Sequence, residues 1–145
     1  MGRSMAYNLL QAGYTAHLYN RSRHKADALA PNGGIVHDSP ASAAANADVL
    51  VTMLGDPAAV KELAYGPEGF LRNLPAKACW VDATTVDPTF ASTMAEEAAQ
   101  RNIRYMDAPV LGSREPAEKA ELVFLAGGSA EDVAEVQPLL DVTGK

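Results

Sequence analysis

The stretch VLVTMLGDPAAVKEL, residues 49–63, decides the fold. Residues 49–54 are a continuous apolar run, short enough for a strand and suited to burial on both faces of a parallel sheet. Gly55 ends the run, Asp56 and Pro57 supply a helix cap and a first-turn proline, and a helix is expected through Leu63. The same order returns further on. Residues 79–82 (CWVD) read as a strand, and Asp87 with Pro88 opens a helix. Its apolar positions Phe90, Met94 and Ala98 recur at helical spacing to about Arg101.

Working outward, Met5, Leu9 and Ala12 predict a helix over residues 3–12, stopped at Gly13. Residues 14–19 form a short strand broken at Asn20, and Ser22 caps a second helix carrying Ala26 and Leu29. Ile35 and Val36 are extended, and Ser39 with Pro40 opens an alanine-rich helix. Downstream, residues 103–107 are a strand, 108–118 (APVLGSREPAE) a loop and 122–126 (LVFLA) a strand. Ser129 caps a last helix ending near Leu140. Strands alternating with helices predict an α/β fold with a doubly wound parallel sheet, covered on both faces.

Composition narrows the function classes. The chain has 145 residues, 48% of them apolar, with 12 basic and 18 acidic side chains and a net charge of −6. That balance offers no basic stripe for phosphates, so nucleic acid is not an expected partner. One cysteine, Cys79, excludes an internal disulfide and reads as a small core residue. No apolar run is long enough for a membrane helix and no signal-peptide pattern opens the chain, so a cytoplasmic protein is expected. His17, His24 and His37 show no metal-ligand spacing, and no metal is assigned.

Right-handed crossovers place each helix between two parallel strands, so the opening helix ought to have a strand before it. None precedes it in this chain. Gly2 stands where the third glycine of the dinucleotide fingerprint G-x-G-x-x-G packs the helix start closely. The expectation is therefore a doubly wound sheet lacking its first strand, with a gap in the middle of the order 3-2-1-4-5-6 and poor stability for the isolated chain.

Four stretches carry a resemblance. Met1-Gly2, Met5-Ala6 and Asn8-Leu9-Leu10 resemble the end of GLGxMGxxMAxNLL, and residues 19–22 (YNRS) resemble YNRT. Residues 81–85 (VDATT), with Pro88, resemble VDxSTxxP. Residues 107–110 (DAPV), then Gly112-Ser113 and Pro116-Ala117-Glu118, resemble DAPVSGSxxPAExG. These motifs, in this order, are those of the β-hydroxyacid dehydrogenase family, which includes 3-hydroxyisobutyrate dehydrogenase and glyoxylate or succinic semialdehyde reductases. The chain resembles the N-terminal, Rossmann-like NADP-binding domain of that family, truncated at both ends. Residues 1–145 would be an incomplete dinucleotide-binding domain, with the helical second domain and its catalytic lysine lying outside.

The resemblance implies hydride transfer between NADP(H) and a small carboxylate or aldehyde substrate, in an enzyme acting as a homo-oligomer. The isolated chain is expected to be inactive. Gly2, Asn20, Arg21, Met53, Leu54, Thr84 and Thr85 fall on its cofactor-binding positions. Asn20 and Arg21 stand where an acidic residue would hold the ribose of NAD; a neutral residue followed by a guanidinium favours the 2′-phosphate of NADP and makes NAD less suited. Asp107 to Glu118 resemble the substrate loop, with Leu111, Gly112 and Ser113 on its substrate-binding positions, where Leu111 replaces the family's carboxylate-binding serine and cannot donate that bond. Arg114 reads as a solvated loop residue. The alternative reading is a non-catalytic interaction module on the same fold, with which Leu111 is compatible.

Overall fold

The computed structural model describes all of residues 1–145. Helix α1 spans Gly2–Gln11, followed by β1 (His17–Leu18), α2 (Arg23–Asp27), β2 (Ile35–Val36), α3 (Pro40–Ala44), β3 (Val49–Thr52) and α4 (Pro57–Tyr65). Then come β4 (Cys79–Asp82), α5 (Pro88–Ala99), β5 (Arg104–Asp107), β6 (Val110–Leu111), α6 (Arg114–Glu118), β7 (Val123–Phe124) and α7 (Ala130–Asp141). No helix is long and apolar enough to cross a membrane.

Four helices start where their caps predict. Ser39 accepts from the Ser42 N–H, Asp56 from Ala59, Asp87 from Phe90 and Ser129 from Asp132, each satisfying one of the donors a helix start leaves open. Ser22 departs from expectation. It stands at the N-cap of α2 but its hydroxyl makes no cap bond; instead its own N–H donates to Asn20 Oδ1. Helix α2 also ends at Asp27, so Leu29 lies beyond it, ahead of a single 3₁₀ turn at Ala30–Asn32.

Strands β3, β4 and β5 form a parallel sheet in that order, with Thr52, Asp82 and Asp107 aligned across its carboxyl end. Strand β4 is central, and all four of its residues are buried. Alternation divides its side chains between two cores. Trp80 faces Val60, Phe70, Met94 and Ile103 under α4 and α5. Cys79 and Val81 face Met5, Met106, Leu122, Val136 and Leu140 on the other side.

Strands β1 and β2 make a separate parallel pair, unbonded to the three-stranded sheet. This corrects one expectation. The apolar run at 49–54 suggested burial on both faces, yet Val49, Leu50 and Val51 are only half-buried because no strand pairs with the outer edge of β3. Strand β1 covers two residues rather than the six of 14–19, matching the short β2 beside it. The loop at 108–118 also holds more structure than expected: β6 pairs antiparallel with β7, and α6 follows.

Candidate functional site

Every short apolar strand of the central sheet ends in a polar residue, and the turns after them converge. Past β3, the Leu54 N–H donates to Thr84 Oγ1 at 3.1 Å, tying that turn to the one after β4. Gly2, the first residue of α1, lies against the same turn: a Cβ built on it would stand 3.6 Å from Met53 Cβ. That is ordinary van der Waals contact, so alanine fits, and the demand for glycine here is weaker than the fingerprint implies. No side chain caps α1, and its first intrahelical bond is that of the Met5 N–H to Met1 O, leaving the N–H groups of Gly2, Arg3 and Ser4 free of helical partners. Such an end carries partial positive charge and suits an anion.

The two threonines have separate situations. Thr84 is 1% exposed, its oxygen engaged by Leu54, whereas Thr85 is exposed at the mouth of the turn. Beneath them lies a polar network absent from the sequence reading. Trp80 Nε1–H donates to Thr52 Oγ1 at 2.9 Å, the Thr52 hydroxyl donates to Asp82 Oδ1 at 2.8 Å, and the Thr84 N–H donates to the same oxygen at 3.1 Å. The Tyr105 hydroxyl lies 3.4 Å from Asp82 Oδ2. Burial pushes the Asp82 carboxyl above the usual carboxylate range, opposed by the bonds from Thr84 and Thr52. Burial and then the Asp82 charge also raise Asp107, whose buried Oδ1 has no partner.

Asn20 and Arg21 follow β1 and are both exposed. Asn20 Oδ1 is occupied by the Ser22 N–H, which folds the YNRS turn back on itself and leaves the exposed Arg21 as its cationic group. The rings of His17 and His37, twenty residues apart in the chain, meet with Nδ1 and Nε2 at 2.8 Å because β1 and β2 run in parallel register. Their separation in sequence gave no sign of that contact. No three histidine, cysteine, aspartate or glutamate side chains gather as a metal site.

In the substrate-loop region Leu111 is 57% exposed and stands opposite Val123, and Leu125, whose N–H donates to the Pro109 carbonyl, is 53% exposed. Gly112 has φ +137°, and an added Cβ would meet Leu122 Cδ2 at 2.9 Å, so this position does require glycine. Ser113 heads α6 with its hydroxyl unused in capping. Arg114 pairs with Glu118 on the surface, as its reading as a solvated residue anticipates. Asn8 Nδ2 donates to the Ala117 carbonyl at 3.0 Å and so fastens α6 to α1.

Over residues 1–145 the chain matches the family described as the NAD binding domain of 6-phosphogluconate dehydrogenase. The chain belongs to this family. It is 38% identical to the probable 3-hydroxyisobutyrate dehydrogenase-like 1 of Arabidopsis thaliana, an alignment covering 100% of this chain and 44% of that protein. Its fold superposes on 3-hydroxyisobutyrate dehydrogenase of Mycobacterium tuberculosis with a TM-score of 0.93 at 28% identity, over 99% of this chain and 48% of that one. An imine reductase of Myxococcus stipitatus in complex with NADP⁺ gives 0.90 at 28% identity, over 99% and 49% of the two chains, and a variant of it is in complex with NAD⁺. The chain thus spans about half the length of the relatives it matches. The NAD-binding family and its Rossmann-like α/β fold agree with the resemblance of the four motifs.

Proposed function

We propose that this chain is the NADP-binding half of an oxidoreductase that moves hydride between NADP(H) and a small β-hydroxyacid or semialdehyde. The observation that carries the reading is the convergence at one end of the fold: the uncapped start of α1 packs on Met53, next to the bonded Leu54 and Thr84 turns. An open helix start beside the carboxyl ends of parallel strands is where a doubly wound sheet takes a dinucleotide. The free N–H groups of residues 2–4 would face the diphosphate. Arg21 would pair with the 2′-phosphate, for which a guanidinium is the suited partner. Thr85, exposed beyond the buried Thr84, would reach the nicotinamide ribose, with Met53 and Leu54 lining the ring's approach.

When bound, the nicotinamide carries the hydride. The turns at Met53-Leu54 and Thr84-Thr85 would hold and orient it. Gly112 and Ser113 would present the loop to the substrate, and Leu111 would meet its apolar part. The proton donor is proposed to be a lysine outside this chain, which makes the isolated chain inactive. A further strand is proposed between β1 and β3 in the complete enzyme. The half-burial of an apolar β3 and the separation of the two parallel sheets support it.

Calorimetric titration of NADPH and NADH tests the reading, run on this chain and on a form preceded by a strand and G-x-G loop taken from a relative. Binding by the extended form, tighter for NADPH, is expected. Equal affinity for the two would overturn the NADP assignment, and binding of neither by a folded extended form would overturn the cofactor reading.

A further inference from the structure

We infer that Asp82 is a positioning residue that sets the spacing between the turn at Met53-Leu54 and the turn at Thr84-Thr85. The bonds are directional. Thr52 Oγ1 receives the Trp80 indole N–H, so its single proton is directed to Asp82 Oδ1. The same oxygen receives the Thr84 N–H, and Thr84 in turn accepts the Leu54 N–H. One carboxylate oxygen therefore closes a circuit from β3 through β4 to both turns, with Thr52, Asp82 and Thr84 at most 5% exposed. The register places Asp82 directly between Thr52 and Asp107 in the three-stranded sheet.

The proposed cofactor wall consists of backbone and side chains on those two turns. A shift of one turn against the other would change the wall's width without breaking the sheet. Asp82 is fully buried and acts through Thr84 and Leu54. The inference rests on the cofactor reading above for its functional consequence, but its structural content stands apart from that reading.

The test uses the whole chain and the variants D82A, D82N and T52V. Amide exchange of Leu54, followed by NMR, is compared with the amides paired between β3 and β4. In D82A the Leu54 amide is expected to exchange about tenfold faster, the loss of one net hydrogen bond, while the β3–β4 amides keep their protection. D82N offers an amide oxygen in place of Oδ1 and should stay within about twofold of the wild type. T52V, which deletes one arm of the circuit and adds no charge, should give an intermediate acceleration and decides the matter if D82A does not fold. Unchanged Leu54 exchange in D82A or T52V, with the strand amides protected, would overturn the inference, as would D82N behaving like D82A.

NADPH and NADH titrations complete the experiment. D82A should weaken both alike, by about tenfold, since a lost hydrogen bond alters spacing and not the charge near the 2′ position. Faster Leu54 exchange with unaltered dinucleotide affinity would overturn the positioning role. Absence of dinucleotide binding by the wild-type chain and by the strand-extended form would instead sink the cofactor reading, leaving the Leu54 comparison to decide whether Asp82 holds the two turns.

Discussion

Trp80→Phe should destabilise the fold by about 3 kcal/mol, a figure assembled from three losses. Trp80 is fully buried and packs edge-on against both Phe70 and Tyr105, with ring centroids 4.9 Å apart in each case. Its Nε1–H also donates to Thr52 Oγ1 at 2.9 Å. Phenylalanine keeps the position of one ring but leaves a void of roughly 40 Å³, worth about 1 kcal/mol as cavity. The lost indole bond costs about 1 kcal/mol, since Thr52 retains its bond to Asp82. The weakened aromatic contact and lost apolar area account for about 1 kcal/mol more. For a domain of this size the melting point should fall by about 10 °C. Urea unfolding is to be followed by far-ultraviolet circular dichroism, because Trp80 is the only tryptophan and intrinsic fluorescence disappears with it. A loss below about 1 kcal/mol would refute the account of Trp80 as both wedge and donor. The double variant with D82N should be less than additive, because both residues act through Thr52.

Two further predictions concern pH and one concerns the cofactor. Asp107 titrates above its ordinary value of 3.8 in the fold, through burial and then the Asp82 charge. The folded state therefore binds that proton more readily than the unfolded chain, and the cost of its ionisation is felt above the raised value and relieved as pH falls toward 3.8. Asp107→Asn should accordingly be more stable than wild type in urea at neutral pH, the difference closing near pH 4; no gain at neutral pH would count against the assignment. His37 is held below its ordinary 6.5 by burial and then by His17, so its stabilising share is complete above that value and lost as pH drops through it. His37→Gln should flatten the fall in urea midpoint between about pH 7.5 and 5.5, and an unchanged slope would remove the histidine contact as its cause. Arg21→Asp in the strand-extended protein should weaken NADPH by about tenfold or more and NADH little; equal loss for both in calorimetry would show that Arg21 does not read the 2′-phosphate.

The helices were legible because their starts are local chemistry. Asp-Pro at 56 and 87 and Ser-Pro at 39 put acceptor and first-turn proline side by side, and the structure caps all three where the pairs fall. Strand extent was less legible, since it depends on a partner. The six residues at 14–19 have strand-forming side chains, but only two find partners in a two-residue β2. Burial misled for the same reason: VLVT and CWVD have similar composition, yet β4 has a strand on each side and β3 has one.

The site divides along the same line. Gly2, Asn20, Arg21, Thr85 and Gly112 were named because they fall on the positions of motifs that resemble the family's. Asp82 could not, because its partners Thr52 and Tyr105 lie 30 and 23 residues away. The structure ends β3 at Thr52, two residues short of the 49–54 run, and with that end VLVT, CWVD and RYMD all finish on a polar residue. The observed parallel register aligns those last residues, Thr52, Asp82 and Asp107, across the sheet's carboxyl end. Burying them requires mutual hydrogen bonding, because an unpaired hydroxyl or carboxylate there would cost more than the strand pairing returns. Thr52 and Asp82 meet that requirement, whereas Asp107 does not, its buried Oδ1 having no partner. The carboxyl end of the sheet is thus held by Asp82 at its centre and left under electrostatic tension at Asp107, adjoining the loop that carries Leu111.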